Sequence, residues 1–390
     1  MARRPSSAAI LWPGFVPPHC PRAECAAHIP GEGPAFTFNL AGTFAVKCRP
    51  ERIQRFLCHV CRHTFSTQTF ATDYCLKRPE LLLPTVPLLV LAPADRQIAH
   101  FLDCAPSTPS RLVPRIGQHL ELFHAQRTRG LTLREPVAFD DFESSVTSQL
   151  TAEAFPTAVG QVSWFIYDLD EAVHFAGGKL SARKREEKRR LLAAGTQPER
   201  GGRTRAFRRV LDRLLARTEG TLHLVSDAHP VYAAVIARHP ERARIRHEVH
   251  QNPRNRSKDR PRTEAEIARD RAMFAIDQLH RLMRHSKAHD RRETIAFARA
   301  RSMAVYRQVV MLVWRNYVKA ASERKPWRGT PAMKLGLETR PLEWAEIFSR
   351  RIFPRHVRPR LAMLSDEAFG CRLATRGRIP AGRHRPARAH

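Results

Sequence analysis

Three short acidic stations stand along one very basic chain: Phe139-Asp140-Asp141-Phe142-Glu143, Leu224-Val225-Ser226-Asp227 and Arg291-Arg292-Glu293-Thr294. A carboxylate at the end of an apolar strand, a second on another strand and a third opening a helix can hold two divalent cations between them. Ions held in that way cut and join phosphodiesters. Glu293 is expected to open a helix running to about Lys319, on one stripe with Phe297, Ala300, Ala304 and Met311. On that stripe its carboxylate faces inward and needs a partner, either a neighbouring arginine (Arg291 or Arg292) or a metal shared with Asp140 and Asp227.

A second chemistry is written in sulfur. Cys20 and Cys25 are separated by four residues and Cys58 and Cys61 by two, with a segment between the pairs that suits a hairpin. Thiolates from two tight turns complete a tetrahedron, so the pattern reads as a zinc ribbon spanning residues 1–80. Cys58-His59-Val60-Cys61 sits between the strand-like Arg55-Phe56-Leu57 and Thr64-Phe65-Ser66, while the first pair is more widely spaced than usual. His19, Cys48 and His63 are substitute ligands, and the competing reading is that these cysteines are small buried hydrophobes.

The elements around these residues must position them. Ala94 to Asp103 suits a helix with Ile98, Phe101 and Leu102 inward, Cys104 to Ser107 a turn, and Thr108-Pro109 the cap and first position of a second helix. Leu112, Ile116, Leu120 and Phe123 recur there at helical spacing. This is a helix-turn-helix within 81–130, with Arg96, Arg111 and Arg115 as candidate DNA contacts. Pro114 falls inside the second helix, where it costs about 3 kcal/mol, so a kink or a later start is expected. The competing reading is a plain helical linker with a solvated basic face.

From Arg134 the pattern becomes α/β. Pro136 to Phe142, Val162 to Asp168 and Thr221 to Ser226 read as strands, and Pro230 to Arg238 as a helix. A basic insertion, 179–219, carries the amphipathic run Phe207, Val210, Leu211, Leu214 and Leu215, a helix for the sheet with a basic remainder suited to DNA or to plain solvation. The chain has 67 Lys+Arg against 37 Asp+Glu, a formal charge of +30, which makes nucleic acid the leading partner. No apolar run reaches the roughly 18 residues a membrane span needs. Paired rather than scattered thiols fit a reducing compartment, so a cytoplasmic, nucleoid-associated protein is expected.

Taken in order, these motifs resemble a bacterial insertion-sequence transposase with a DDE catalytic core. The resemblance rests on Cys58-His59-Val60-Cys61 running into Arg62 to Phe70, on Arg96-Gln97-Ile98-Ala99, and on Val137 to Glu143. It continues through Ser226-Asp227-Ala228-His229, Arg291 to Phe297, Trp314-Arg315-Asn316-Tyr317 and Thr330-Pro331-Ala332-Met333. It implies an RNase H-like mixed sheet flanked by helices over 131–325, after the zinc ribbon and the helix-turn-helix, and a C-terminal segment 326–390 with a basic tail. It further implies Mg²⁺ or Mn²⁺ held by Asp140, Asp227 and Glu293, Zn²⁺ in the ribbon, and strand cleavage and transfer on double-stranded DNA, both terminal repeats and target. A homodimer or larger assembly on DNA, with no membrane partner, is implied as well. Asp141 adjoins Asp140, and the resemblance favours Asp140 as the first ligand. The competing functions are a catalytically inactive DNA-binding protein with the same ribbon and helix-turn-helix, a decayed transposase or repressor, and a structure-specific nuclease.

Overall fold

The computed structural model describes residues 15–22, 24–28, 31, 33–46, 49–146, 150–175, 180–193, 201–253, 260–291, 294 and 296–352. The basic tail, Cys48 and Glu293 lie outside these residues. The chain divides into two compact units, one built from residues up to 89 with 95–127 and 342–352, the other from 90–94 and 128–341.

The first unit opens with an antiparallel sheet of β1 (Phe38–Val46), β2 (Arg49–Cys58) and β3 (Thr64–Ser66). The expected hairpin around Cys58 and Cys61 is present: Arg55, Phe56 and Leu57 pair with Ser66, Phe65 and Thr64. Buried Phe56, Phe65 and Phe70 hold this small sheet together, the first two with ring centroids 5.4 Å apart. Three helices follow, α1 (Leu82–Leu91), α2 (Asp95–Phe101) and α3 (Ser107–Arg127).

Helices α2 and α3 pack together across a short turn in which Asp103 takes the left-handed conformation, φ 47°. Ile98 is buried as expected, but Phe101 is 75% exposed because α2 ends at it. The later start is not seen: helix α3 begins at Ser107 and runs through Pro114. The burial of Leu112, Val113, Ile116, Leu120 and Phe123 along one face offsets the lost hydrogen bond.

The second unit is α/β. Its strands are β4 (Val137–Ser145), β5 (Thr151–Gly160), β6 (Ile166–Leu169), β7 (Ala172–Phe175), β8 (Leu222–Asp227) and β9 (Ile245–His250). The path is β6-β5-β4-β8-β9, with β7 also on β5. Strands β4, β5 and β6 form an antiparallel half, and β4, β8 and β9 a parallel half.

Helices α4 (Ala182–Ala193) and α5 (Gly202–Leu215) fall in the basic insertion. After them come α6 (Pro230–Ala237), α7 (Glu264–Ala272), α8 (Phe274–Ser286), α9 (Arg301–Val313) and α10 (Pro331–Lys334). Both faces of the sheet are covered, since α5 packs on β5, β6 and β7 while α8 packs on β4 and β5. Phe139 accordingly meets Phe207 of α5 and Tyr232 of α6, whereas Phe142 meets His280 of α8. Alternation along β4 thus sends successive side chains to opposite helical layers.

Two expectations are corrected here. The segment 161–165 is a turn, and the strand after it is Ile166–Leu169. The helix expected from Glu293 begins only at Arg301, because Ala298 forms a parallel bridge with Val146 instead of joining a helical turn. Phe297 and Ala300 therefore lie outside it, while Ala304 and Met311 fall within it.

Helix α11 (Trp344–Ser349) belongs with the first unit. His119 of α3 bonds through Nε2 to the Ile347 carbonyl at 2.8 Å and stacks on Phe348 at 4.7 Å.

Candidate active site

The first two acids are brought together by strand register. Phe139 of β4 is level with Ser226 of the parallel β8, so the next residues, Asp140 and Asp227, stand side by side where the two strands end their pairing. The hydroxyl of Ser226 is turned to His247 at 2.8 Å, leaving the site to the carboxylates. Asp140 faces the α8 layer, its Oδ2 3.6 Å from His280 Nδ1, and its Oδ1 accepts the Asp141 backbone N–H at 2.8 Å. Asp141 faces the other layer, where Arg203 of α5 approaches its Oδ2 at 3.2 Å and also bonds Glu143. An open cleft of about 470 Å³ is lined by Asp140, Asp141, Glu143, Asp277, His280, Arg281 and Arg284.

A hydrogen-bond chain ties Asp227 to α8. Its Oδ2 accepts from Asn252 Nδ2 at 2.9 Å, Asn252 Oδ1 accepts from Arg269 Nε at 3.0 Å, and Arg269 pairs with Asp277. The other oxygen, Oδ1, accepts the His229 N–H at 3.0 Å ahead of α6.

The electrostatics follow from this crowding. Burial, then the neighbouring Asp227, push the Asp140 carboxyl up to about 7. Burial also pushes Asp141 up to about 6, against the opposing pull of Arg203. Hydrogen bonding to His174, with Arg203 acting in the same direction against burial, holds Glu143 down to about 2. Burial and then Arg284 press His280 down to about 3, so its ring is neutral. Asp140, buried beside a second carboxylate, resists ionising, and a divalent cation between the two relieves that.

The cleft uses residues that the sequence reading passed over. Asp277 and His280 lie on α8, whose Ile276, Leu279 and Met283 spacing was a readable helical signal. Arg203 was counted among the basic face of the insertion, yet it turns inward. Arg209 and Arg213 do the same, pairing with the buried Asp168 and Asp170. Glu293 falls outside the described residues.

In the first unit the four thiols converge. Cys20 and Cys61 have sulfurs 3.6 Å apart, Cys25 and Cys58 3.9 Å, and all four lie within 4.8 Å of one another. With zinc–sulfur bonds near 2.3 Å, a tetrahedron has edges of about 3.8 Å, so the cluster has the size of a metal site. Among the described residues it is the one group that gathers three or more metal-ligating side chains this closely. Arg62, at φ 59°, closes the second knuckle by donating its N–H to the Cys58 carbonyl at 3.0 Å. Of the substitute ligands, His63 Nδ1 meets Arg22 at 2.8 Å and the His19 ring packs on His28 and Phe70, while Cys48 lies outside the described residues.

Of the candidate DNA contacts, Arg96 and Arg111 are exposed on α2 and α3. Arg115 instead donates through Nη1 to the carbonyls of Thr72 and Tyr74, both at 2.8 Å, which fastens the loop after the ribbon to α3. Compared with protein-family models and with curated proteins, the chain matches none, so its own geometry carries the functional argument.

Proposed function

We propose that this protein is a transposase that cuts and transfers DNA strands at the ends of an insertion sequence, using divalent metal ions at Asp140 and Asp227. The observation that carries the reading is the register of β4 and β8, which sets two half-buried carboxylates side by side, the first of them lining an open cleft. A sheet with an antiparallel half bearing the first acid and a parallel half bearing the second is compatible with an RNase H-like core. The order of motifs along the chain supports the same reading, with Glu293 as the third acid. The charge of +30 favours a polyanionic substrate.

In this reading Asp140 and Asp227 hold Mg²⁺ or Mn²⁺. What the ions supply when bound is Lewis acidity for an in-line displacement at phosphorus, by water in cutting and by a DNA 3′-hydroxyl in joining. The chain itself keeps Asp227 in place through Asn252 and His229, and Arg203 holds Asp141 away from the Asp140 layer. The thiol cluster binds Zn²⁺ and stabilises the ribbon, which lacks a core large enough to fold alone. The exposed Arg96 and Arg111 contact DNA.

The test is strand cutting and joining by the full chain on duplexes with and without the element's ends, in Mg²⁺. Asp140→Asn, Asp227→Asn and Glu293→Gln should each abolish both reactions while binding to the ends persists. Cutting at the wild-type rate in Asp140→Asn or Asp227→Asn would sink the reading. Cutting indifferent to the ends would make the protein a nuclease.

A further inference from the structure

The motif Trp314-Arg315-Asn316-Tyr317 and Lys334, the residue after the motif Thr330-Pro331-Ala332-Met333, take no part in the acidic cleft, yet they converge on one residue, Trp164. Trp164 lies in the turn between β5 and β6 at φ 63°, in the left-handed region that a bulky side chain rarely occupies. The turn is gripped from two sides. Glu135 Oε2 accepts the N–H groups of Val162 at 2.7 Å and Ser163 at 2.9 Å, and Asn316 bonds both the N–H and the carbonyl of Ile166, at 2.9 and 3.0 Å.

Two cations are set against the Trp164 ring. The Arg315 guanidinium is 5.7 Å from its centroid and the Lys334 ammonium 5.1 Å. Both distances fall in the range of cation–π attraction. Arg315 rises from a π turn, Trp314–Val318, that follows α9, a local distortion frequent at functional sites. It is 6% exposed, and among the described residues its Nη1 meets no hydrogen-bond acceptor. Burial alone presses it down to about 10, with no acid opposing the shift.

Burying a guanidinium without an acid is costly, and placing a lysine beside it adds to the cost. Lys334 in turn lines a cavity of about 610 Å³ with exposed Arg129 and Arg134 on its rim and apolar walls from Leu131, Leu335 and Leu337. Glu135 lines the same cavity and favours the Lys334 charge, but it is one acid among these cations and its oxygens already hold the turn. The site is therefore cationic, preorganised and short of negative charge.

We infer that Arg315 and Lys334, fixed against Trp164, form a clamp for a backbone phosphate of the DNA strand entering the acidic cleft. The inference rests on the reading of that cleft as a phosphodiester-processing site. The connection is α8: Phe274 at its start touches Trp164, with centroids 5.7 Å apart, and Asp277 comes one turn later on the wall of the cleft. The clamp and the acidic cleft thus share one helix. Trp164 acts as a positioning residue, and the phosphate contacts belong to Arg315 and Lys334.

The test is DNA binding by the full chain over a salt series, measured by fluorescence anisotropy, together with thermal unfolding. Each lost phosphate contact should flatten the log–log salt dependence by about 0.9 and weaken binding roughly tenfold at 0.1 M salt. Lys334→Gln and Arg315→Met should each do so, and Arg315→Met should unfold at the wild-type temperature or above, because it removes an uncompensated buried charge. A merely structural Arg315 predicts the opposite pair, an unchanged slope with a lowered unfolding temperature, and that result would overturn the clamp.

Trp164→Gly, which suits the left-handed backbone, should weaken binding without unfolding the chain, and unchanged binding would count against the clamp. Inorganic phosphate is the second probe. Stabilisation by phosphate that vanishes in Arg315→Met while the DNA slope stays unchanged would overturn the assignment to a DNA strand. A wild-type chain whose salt slope depends on Arg315 and Lys334 but that never cuts in Mg²⁺ would refute only the catalytic reading.

Discussion

Asp140 and Asp227 are neighbours across two parallel strands, one step beyond the paired residues Phe139 and Ser226, and the first of them is pushed up to about 7 by burial and by the second. Such a pair gains from a divalent cation and loses from its absence. Titration with Mg²⁺ should therefore raise the unfolding temperature of the full chain. The linked stabilisation is about 2.7 kcal/mol at a hundredfold excess over Kd. Asp140→Asn should abolish the gain while leaving the metal-free chain as stable as wild type or more so, since it removes a repelled charge. A metal-dependent rise that survives Asp140→Asn would place the cation elsewhere.

Arg203 joins α5 to β4 through Asp141 and Glu143. The Asp141 side chain is only 7% exposed, so removing its partner strands a buried carboxylate. Arg203→Met should cost about 3 kcal/mol in denaturant unfolding. Adding Asp141→Asn to the same chain should recover most of that loss, and failure to do so would mean that Arg203 acts mainly through Glu143. Asp141→Asn alone should retain more strand cutting than Asp140→Asn, because its carboxylate faces α5 rather than Asp227.

Two of the sulfur pairs stand 3.6 and 3.9 Å apart, near the edge of a zinc tetrahedron, and burial pushes the Cys20 and Cys25 thiols up, so zinc must displace protons that the metal-free core would keep. Metal analysis of the full chain should find one zinc ion. Cys58→Ser combined with Cys61→Ser should abolish it and open β1–β3 to protease. A metal-free protein with a protected ribbon would contradict this.

How far the fold was legible depends on what each segment does with its polar residues. The strands carrying Asp140 and Asp227 were readable, because apolar runs ending in a carboxylate leave few alternatives. So was α5, whose Phe207, Val210, Leu211, Leu214 and Leu215 stripe is buried as its spacing requires. Strand β5 was not readable. It is buried along its whole length, so it shows no alternation, and it contains Pro156, which sits opposite Asp141. The two prolines of α1 hid that helix in the same way.

The acids were visible as chemistry but not as geometry. Nothing local says that Asn252 and Arg269 connect Asp227 to Asp277, or that His280 reaches Asp140. Glu293 illustrates the converse, a helical stripe that was real in spacing but overruled by the bridge between Ala298 and Val146.

His119 offers a pH test within the first unit. It is fully buried in α3, accepting or donating at Nδ1 with Thr72 Oγ1 at 2.6 Å and bonding through Nε2 to the Ile347 carbonyl at 2.8 Å. A carbonyl only accepts, so Nε2 carries the proton and the neutral ring takes the threonine hydroxyl at Nδ1. Burial presses its ionisation down to about 4 from 6.5, with Arg350 and Arg351 adding to the shift and Asp73 and the Ile347 carbonyl opposing it.

The unfolded chain thus binds a proton at this residue more readily than the folded one. Its contribution is complete above the unfolded value and is lost as pH falls from about 6.5 towards 4, amounting to about 3 kcal/mol. Denaturant unfolding of the first unit should weaken over that window, and amide exchange in α11 should quicken with it, because protonation puts a charge on the buried ring and takes away the Nδ1 lone pair that accepts the Thr72 hydroxyl. His119→Gln keeps a donor for the carbonyl but cannot ionise, so it should flatten this part of the pH dependence. A Gln variant with the full wild-type acid sensitivity would show that the lost stability arises elsewhere in the unit.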